Sequence, residues 1–522
     1  MKTLLSILSF IFIITYASIA QQAQIGKLLS KQLPAMNNND EIVILVHFAD
    51  KGNITKFKSS MSANFISERS ITRRMKVRGN ANIIDERDYP LEHSYVQAVS
   101  SRVLRVRHEL KWFNAVSVVA TKQQIETLQS LSFVQEIEIV GRWKKKIDDE
   151  IESPIKDALQ QPVMNGITSL DYGTSFTQVN QIKVPAVHNI GIYGQGIVVG
   201  VFDNGFRILN HESFASMNII AQHDFVDHKE SVIPYNTSTG FGSHGVNTLS
   251  TVGGYKPGQL IGPAFKSDYI LARTENDSSE TPIEEDNWAA AIQWADSIGV
   301  DVTSTSLGYS TYDAPYTSWT WADMDGNTTL ITKAADRAVS LGIVVVNSAG
   351  NEGPGDGIHN TLVAPSDGDS VIAAGAVTST GARTSFSSVG PSADGRTKPD
   401  IMAMGSGVKV ASSTNTTGYG SANGTSFSCP LSAGVAALIR CANPNLTPMQ
   451  VRDAMRQTAS QAAAPDNLMG WGILNADSAI KYFGALPMGQ ISGNVFHDIN
   501  GNGTKDAGEP VVSGRKIYLT GT

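Results

Sequence analysis

A serine stands between a glycine-rich turn and an apolar run in the segment Gly424-Thr425-Ser426-Phe427-Ser428-Cys429-Pro430. The apolar residues that follow have the spacing of a buried helix. At the start of a helix, unpaired backbone N–H groups and the positive end of the dipole favour developing negative charge. Ser426 is therefore either a helix N-cap, a position that Ser and Thr also prefer, or a nucleophile.

Three other segments supply the groups that activate a hydroxyl nucleophile. The apolar run Gly196–Phe202 predicts a buried strand that ends on Asp203, and His244 opens a second predicted helix. A third predicted strand, Val344–Val346, leads into a glycine turn that carries Asn351. An attacking hydroxyl needs a base, an acid that orients the base, and donors for the oxyanion. All of these groups are present, which favours the nucleophile over the N-cap.

In this order along the chain, Asp203, His244, Asn351 and Ser426 resemble the motifs of the subtilisin-like serine proteases, the subtilases. The resemblance covers roughly residues 170 to 485. It implies an α/β fold, a three-layer sandwich around a mostly parallel sheet. It also implies that Ser426 attacks, that His244 is the base held by Asp203, and that Asn351 and the backbone N–H of Ser426 bind the oxyanion.

The motifs depart from the usual family pattern at three places. Asn204 follows the acid where Ser or Thr is usual, Gly245-Val246 follows the histidine instead of Gly-Thr, and Phe427-Ser428 follows the serine instead of Met-Ala. None of these changes removes a group that transfers a proton. We therefore expect subfamily variation in the shape of the site and an active enzyme.

A fifth segment resembles the substrate-binding strand of the family. It comprises Ser306, Leu307 and Gly308, at the end of a predicted strand that begins near Val300. A peptide would add there as an extra strand through main-chain hydrogen bonds. Asp301, in the same strand, is expected to be a solvated or hydrogen-bonding acid and not a second catalytic one.

Two competing assignments are weaker. His211, His223 and His228 lie near in sequence, but none precedes a glycine and an apolar helical run as His244 does. The glycines from Gly191 to Gly200 do not form a dinucleotide-binding fingerprint, because they lie before and within a strand and not between a strand and a helix.

The first twenty residues predict export. Met1-Lys2 precedes an apolar stretch from Leu4 to Tyr16, and small residues end at Ala20, so residues 1–20 are expected to be a secretory signal peptide. No later segment is expected to span a membrane.

The chain has two cysteines, Cys429 and Cys441, which a helix would hold about 18 Å apart, too far for a disulfide. An exported chain without a disulfide fits a bacterium better than an animal secretory pathway.

The composition suits a glycine-turned α/β enzyme of more than one domain. The 522 residues include 47 glycines and are 41% hydrophobic, and the net charge of −7 gives no indication of a nucleic-acid partner. Residues 166–486 are the predicted peptidase domain.

Residues 21–165 resemble a subtilase propeptide, which assists folding and inhibits the enzyme until it is removed. An unrelated α+β module is the alternative. The polar segment Lys144–Glu150 is expected to be an exposed linker where processing occurs. The expected elements are strands at Glu41–His47, Trp112–Ala120 and Phe133–Ile139, and a helix from an N-cap at Thr121 to Leu131.

Residues 487–522 are expected to begin an all-β module that the chain does not complete. Strands are expected at Gln490–Phe496 and Lys516–Leu519. Between them a segment fits the calcium-loop pattern D-x-[DN]-x-[DN]-G-x₅-E, with Gly503 at the sharp turn. It resembles the calcium-binding repeats of bacterial adhesins, and a solvated polar turn is the alternative. The expected Ca²⁺ ligands are Asp498, Asn500, Asn502, Thr504, Asp506 and Glu509.

The sequence thus predicts a secreted serine endopeptidase that needs no catalytic cofactor, acts on proteins or peptides, and is inhibited by its own propeptide. Two alternatives stay open. One is an inactive peptide-binding or adhesive surface protein, which the complete set of catalytic groups disfavours. The other is an exopeptidase of the same family, which no motif distinguishes.

Overall fold

The computed structural model describes residues 22–54, 66–141, 153–154, 168–234, 239–278, 281–313, 318–484 and 495–513. The chain divides into two compact units, Met1–Phe483 and Gly484–Thr522. The expected signal peptide over residues 1–20 and the expected linker at Lys144–Glu150 lie outside the described residues.

The N-terminal domain of the first unit is a mixed sheet with helices. Its strands lie in the order β1-β5-β2-β4-β3, with β1 parallel to β5 and the other neighbours antiparallel. The described elements are β1 (Gln24–Ile25), α1 (Lys27–Gln32), β2 (Glu41–Phe48), α2 (Glu68–Arg78), α3 (His93–Ser100), β3 (Arg105–Leu110), β4 (Ala115–Thr121), α4 (Lys122–Gln129) and β5 (Val134–Gly141).

The three predicted strands and the predicted helix of this domain are confirmed, except for the start of one strand. β4 begins at Ala115 and not at Trp112, because Lys111–Phe113 forms a 3₁₀ turn. Asn114 then adopts the left-handed conformation with φ of 51°, and its side-chain amide donates to the carbonyl oxygens of Phe48 and Asp50. Thr121 caps α4 in a reciprocal capping box, as expected from its position.

Both faces of this sheet are buried, which explains why the residues of β2 are almost all apolar. Ile42, Ile44 and Val46 pack against the helices of the N-terminal domain. Val43 and Leu45 point to the other face and join a core that includes residues of the central domain. The N-terminal domain therefore shares part of its hydrophobic core with the domain that follows it in the chain.

The central domain is built on seven strands in the order β15-β14-β13-β12-β7-β11-β8, and every neighbouring pair is parallel. The described elements are β6 (Ser153–Pro154), α5 (Phe176–Gln181), α6 (Val184–His188), β7 (Val198–Asp203), β8 (Asn218–Asp224), α7 (Ser243–Gly253), β9 (Tyr255–Lys256), β10 (Leu260–Ile261), β11 (Asp268–Arg273), α8 (Ile283–Ile298), β12 (Val302–Thr305), α9 (Leu330–Ser340), β13 (Val344–Ser348), β14 (Ile372–Val377), β15 (Ile401–Met404), β16 (Val408–Ala411), β17 (Tyr419–Ala422), α10 (Thr425–Ala442), α11 (Pro448–Gln457) and α12 (Ala476–Ala479).

Helices cover both faces of this sheet. α8 and α9 pack together on one face, where their apolar residues share a core with Val198 and Phe202 of β7. α10 packs with α7 and contacts β12 to β15. The expected three-layer α/β sandwich is therefore confirmed. β6 adds antiparallel to the β16–β17 hairpin, so the chain after the N-terminal domain lies close to the segment that leads into α10.

Among the described residues, α10 alone is long and apolar enough to cross a membrane, and 94% of it is buried inside the protein. This is the environment of a core helix. α10 carries both cysteines, and both are free thiols, as expected from their spacing. Burial raises the pKa of the Cys429 thiol to about 12, so it stays protonated.

In the second unit the described residues form a loop closed by a single antiparallel bridge between Phe496 and Val511. The predicted strand Lys516–Leu519 and most of Gln490–Phe496 lie outside the described residues.

Buried ion pairs join the N-terminal domain to the end of α8. Asp296 on α8 accepts hydrogen bonds from the guanidinium groups of both Arg73 and Arg74 on α2. Arg74 also binds Asp88 at 2.9 Å, and all four side chains are at most 1% exposed. The Arg73 guanidinium donates further to the carbonyl oxygens of Val300 and Leu341, near the ends of α8 and α9.

We predict that Arg74→Met lowers the free energy of unfolding of the intact chain by about 3–5 kcal/mol, because buried Asp88 and Asp296 each lose a guanidinium partner. Urea unfolding followed by tryptophan fluorescence measures the change. The control is Lys481→Met, which breaks an exposed pair with Asp477 and should cost at most about 0.5 kcal/mol. Equal effects of the two substitutions would contradict the prediction.

Candidate active site

The order of the strands brings three of the predicted site segments to one edge of the sheet. β7 ends on Asp203, β12 ends directly before Ser306, and β13 leads to Asn351. Because β12 lies between β7 and β13 and all three are parallel, their carboxyl ends meet at the same edge. This is the edge at which open α/β sheets bind ligands.

Asp203 and His244 form a direct hydrogen bond. Nδ1 of His244 lies 2.7 Å from Oδ1 of Asp203, whose side chain is fully buried. A carboxylate only accepts, so Nδ1 carries the proton and Nε2 of the neutral ring is left as an acceptor. The arrangement can orient an imidazole and stabilise its protonated form.

Two further donors hold the Asp203 carboxylate. The backbone N–H of Asn204 donates to Oδ1 at 2.9 Å, and the hydroxyl of Thr248 donates to Oδ2 at 2.8 Å. Thr248 was missed by the sequence analysis. It lies four residues after His244 on α7, so both side chains project from the same side of the helix toward Asp203. This i, i+4 spacing is the signal that could have found it.

Glycines let the helix of His244 approach the turn that follows Asp203. A Cβ on Gly245 would lie 2.1 Å from the carbonyl oxygen of Gly205, and one on Gly242 would lie 2.8 Å from the Gly205 carbonyl carbon. Real Cβ atoms do not come so close to backbone atoms, so larger residues would push the helix away. Gly242 also adopts φ of 65°, a conformation that favours glycine.

Ser426 lies in the first turn of α10 and is 5% exposed. Its hydroxyl donates to the carbonyl oxygen of Ser306 at 3.3 Å, and the hydroxyl of Ser306 donates to the carbonyl oxygen of Ser426 at 2.7 Å. The first contact is long for an O–H···O bond, so it restrains the Ser426 hydroxyl weakly. The next residue, Phe427, packs its ring 5.9 Å from the ring of His244.

The side chain of Asn351 is oriented by Thr425. Its Oδ1 accepts from both the backbone N–H and the hydroxyl of Thr425, each at 2.9 Å, so Nδ2 points the other way. A Cβ on Gly424 would lie 3.6 Å from both Nδ2 of Asn351 and the backbone nitrogen of Ser426. Two donors therefore border the same small space beside Ser426.

Ser306, Leu307 and Gly308 extend β12 past the edge of the sheet. The carbonyl oxygen of Leu307 accepts from Nδ2 of Asn347 at 2.9 Å, which fixes the backbone there. A Cβ on Gly308 would lie 2.1 Å from Cγ2 of Val363, so this position needs a glycine.

The competing residues lie in other environments. His211 caps a 3₁₀ turn and contacts the Gly418 carbonyl, and Asp301 accepts from the backbone N–H of Val198 and pairs with Arg69 and Arg440. Asp301 is thus a hydrogen-bonding acid, as expected.

Among the residues that the structure describes, no group of three or more His, Cys, Asp or Glu side chains is arranged to hold a metal ion.

The parallel seven-stranded sheet with these groups at its carboxyl edge defines a subtilisin-like α/β fold. Residues 194–472, more than half of the chain, match the Subtilase family of peptidases S8. The chain belongs to this family of serine peptidases. Residues 43–154 match the peptidase S8 propeptide domain of Bacteroidota, so the N-terminal domain is a propeptide and the chain is a zymogen.

Known bacterial subtilisins are similar to most of the chain. Subtilisin NAT of Bacillus subtilis subsp. natto is 29% identical over 387 residues, which cover 73% of this chain and 85% of that protein. Subtilisin of Bacillus pumilus is 33% identical over 60% of this chain and 99% of its own length. Among solved structures, fervidolysin from Fervidobacterium pennivorans shares the fold with a TM-score of 0.58 at 20% identity. The match covers 90% of this chain and 64% of the fervidolysin chain.

We predict that Thr248→Val lowers kcat roughly tenfold, because the Asp203 carboxylate loses a donor and holds His244 less firmly. Hydrolysis of a chromogenic peptide measures the change. Thr251→Val is the control, since Thr251 lies on the same helix, is also buried, and donates to the carbonyl oxygen of Asn247 instead. Equal activity of the two variants would show that Thr248 does not support the site.

Proposed function

We propose that this protein is a secreted serine endopeptidase that hydrolyses peptide bonds through a covalent acyl-enzyme. The observation that carries the proposal is the convergence of the Asp203–His244 hydrogen bond, the Ser426 hydroxyl and two oxyanion donors at one edge of the sheet. This geometry and the chemistry of each group support the residue roles given below.

In the first half of the reaction, Oγ of Ser426 attacks the carbonyl carbon of the scissile bond while Nε2 of His244 takes the hydroxyl proton. Asp203 keeps the Nδ1 proton in place and stabilises the imidazolium that forms. The carbonyl oxygen becomes an oxyanion as its π electrons move onto it.

Nδ2 of Asn351 and the backbone N–H of Ser426 donate to this oxyanion. Because Oδ1 of Asn351 is already engaged by Thr425, the amide needs no reorganisation when the charge develops. Loss of one such donor typically costs about 10²–10³ in turnover. His244 then gives its proton to the leaving amine, and the C–N bond breaks to leave an ester on Ser426.

In the second half, a water molecule attacks the ester while His244 takes one of its protons, and the serine leaves with the proton returned. The peptide substrate lies along Ser306, Leu307 and Gly308 as an added strand, which gives affinity with little demand on side-chain identity. The catalytic groups need no metal or organic cofactor for these steps.

The propeptide is the natural inhibitor in this proposal, and the signal sequence at residues 1–20 directs export. The buried pairs between Arg73, Arg74 and Asp296 support a propeptide that docks firmly on the peptidase domain. Two similarities support a secreted or cell-surface bacterial enzyme. The propeptide matches a Bacteroidota propeptide family, and most of the chain is similar to bacterial subtilisins.

We predict that Ser426→Ala leaves the chain folded but abolishes both peptide hydrolysis and removal of its own propeptide, because the attacking oxygen is absent. Electrophoresis of the purified precursor follows processing, and a fluorophosphonate probe with mass spectrometry tests whether the parent protein is labelled on Ser426. Ser428→Ala is the control, since Ser428 lies two residues after Ser426 on α10, is fully buried, and donates to the carbonyl oxygens of Thr425 and Ala374.

An unlabelled parent protein that still binds peptides would favour the inactive binding protein. Maturation of the Ser426→Ala chain in a protease-free preparation would contradict self-processing. Cut positions in a mixed peptide library separate internal cleavage from trimming at the ends, so they decide between endopeptidase and exopeptidase.

For the second unit, we propose that residues 498–509 bind Ca²⁺. The described loop already folds around Asp498, whose carboxylate accepts from the backbone N–H groups of Gly501 and Gly503 at 2.7 Å each. Glu509 closes the loop by accepting from the backbone N–H of Ile499. These backbone hydrogen bonds lower the pKa of the Asp498 carboxyl, which favours its charged form at neutral pH.

The donor types fit a hard cation. The oxygens come from the carboxylates of Asp498, Asp506 and Glu509 and from the side chains of Asn500, Asn502 and Thr504. The amides of Asn500 and Asn502 both donate to Asp506 at 2.7 Å. In the described loop the acidic side chains do not form a group of three that could hold a metal ion, so Ca²⁺ binding requires them to turn toward one another.

We predict that millimolar Ca²⁺ protects residues 484–522 from limited proteolysis while peptide hydrolysis changes little, because binding draws three carboxylates of one loop onto the ion. Calorimetry on the chain carrying Ser426→Ala measures binding without self-digestion. Glu509→Gln should weaken the affinity at least roughly tenfold, since it removes a charged ligand. Unchanged affinity in this variant, or no heat of binding in the parent, would contradict the site.

A further inference from the structure

Asn204 and Asp277 lie at the same edge of the sheet as the proposed catalytic groups. Asn204 follows β7 directly, and Asp277 follows β11 by four residues. β11 is the parallel neighbour of β7 on the side opposite β12, so both residues leave the sheet beside Asp203. The family pattern usually has Ser or Thr at the position of Asn204, and Asp277 has no part in the reaction described above.

Asn204 connects the proposed acid to the helix of the proposed base. Its backbone N–H donates to the Asp203 carboxylate at 2.9 Å, and its Oδ1 accepts from the backbone N–H of Gly245 at 3.0 Å. Gly245 lies in the first turn of α7, where the backbone N–H groups have no carbonyl partner within the helix. The N-cap residue, Gly242, has no side chain that could accept from them. Asn204 therefore caps the helix of His244 from another element.

Asp277 holds the backbone just before the helix of His244. Its Oδ2 accepts from the backbone N–H of Phe241 at 3.0 Å, in the loop that leads into α7. The side-chain amide of Asn204 lies close enough to this carboxylate to favour its charged form. Gly240 makes room for it, since a Cβ there would lie 2.3 Å from Oδ2 of Asp277.

We propose that Asn204 and Asp277 are positioning residues of the catalytic site: Asp277 fixes the Asn204 amide, and Asn204 caps the helix that presents His244 to Asp203. This inference rests on the proposed function of the site. The charge of Asp277 also lies close enough to His244 to favour its imidazolium form. In this proposal Asn204, which stands where the family usually has Ser or Thr, caps the helix of His244.

The other charges around this pair are balanced or directed elsewhere. Arg273 donates to the carbonyl oxygen of Asn204 but is paired with Asp224 and Asp227. Arg207 lies over the ring of Phe241 and donates to the hydroxyl of Ser243. Burial raises the pKa of the Asp277 carboxyl, while its interaction with His244 acts in the opposite direction.

Exchanging the two partners tests the positioning role. Asn204→Asp alone sets two carboxylates against each other and should lower kcat at least roughly tenfold with little change in KM. Combining it with Asp277→Asn restores one amide and one carboxylate, keeps an acceptor for the Gly245 N–H, and should recover kcat to within roughly threefold of the parent protein. Asn204→Leu, which has no acceptor, should stay low in both backgrounds.

The pKa of His244 provides a readout that needs no turnover. NMR titration of ¹³C-labelled histidine should show the His244 pKa falling in Asp277→Asn, because the imidazolium loses a neighbouring negative charge. The acidic limb of the kcat/KM profile should move to lower pH by the same amount.

The outcomes separate this proposal from the proposed function. An unchanged His244 pKa, or a double variant no better than Asn204→Asp, would overturn the positioning role even if the parent protein is active. A shifted His244 pKa in a protein that neither hydrolyses peptides nor reacts with the fluorophosphonate would uphold the coupling and overturn the enzymatic function. Thermal unfolding of each variant shows whether it has folded.

Discussion

The approach of the His244 helix to the turn after Asp203 is the constraint on which the site depends. The Gly205 carbonyl leaves no space for a side chain at Gly245, and the Asn204 side chain accepts a hydrogen bond from the backbone N–H of Gly245. Only with this contact does the imidazole reach the carboxylate at 2.7 Å. The glycines beside the functional residues are thus explained by sterics, because each removes a Cβ that would separate two elements of the site.

The residues that differ from the common family pattern are compatible with this geometry. Phe427 places an aromatic ring beside the ring of His244, and Val246 is fully buried on the side of α7 that packs into the core. Asn204 has an amide where a hydroxyl is usual, and an amide both accepts from Gly245 and reaches toward Asp277. The changes therefore preserve the placement of His244 by other contacts.

The propeptide and the peptidase domain are joined by buried ion pairs as well as by apolar contacts. α8 ends without a basic residue of its own, and the guanidinium of Arg73 on α2 donates to the carbonyl oxygen of Val300 just after it. Asp286 on the same helix is paired with Arg107 and accepts from Ser117 of the propeptide sheet. Since unpaired buried charges are costly, the interface is specific as well as apolar, and separating the domains requires these groups to be hydrated again.

The sequence by itself determined the elements and the chemistry that depend on local pattern. The strands before Asp203 and Asn351, the helix with Ser426 in its first turn, and the capping box at Thr121 all form where the pattern places them. The subtilisin-like α/β fold followed from the order of these motifs. Local pattern suffices here because strands, helices and caps are stabilised largely by residues close in sequence.

Only the tertiary structure decided which distant residues meet. The pairing of Arg74 with Asp296 joins residues more than two hundred positions apart, and the approach of Asp277 to Asn204 depends on β11 lying beside β7. The late start of β4 has the same origin, because the left-handed Asn114 is held by carbonyls of β2 and the residues after it. Such contacts leave no periodic signal in the chain, since the energy of a buried hydrogen bond or ion pair depends on the partner that the fold brings near and not on the neighbours in sequence.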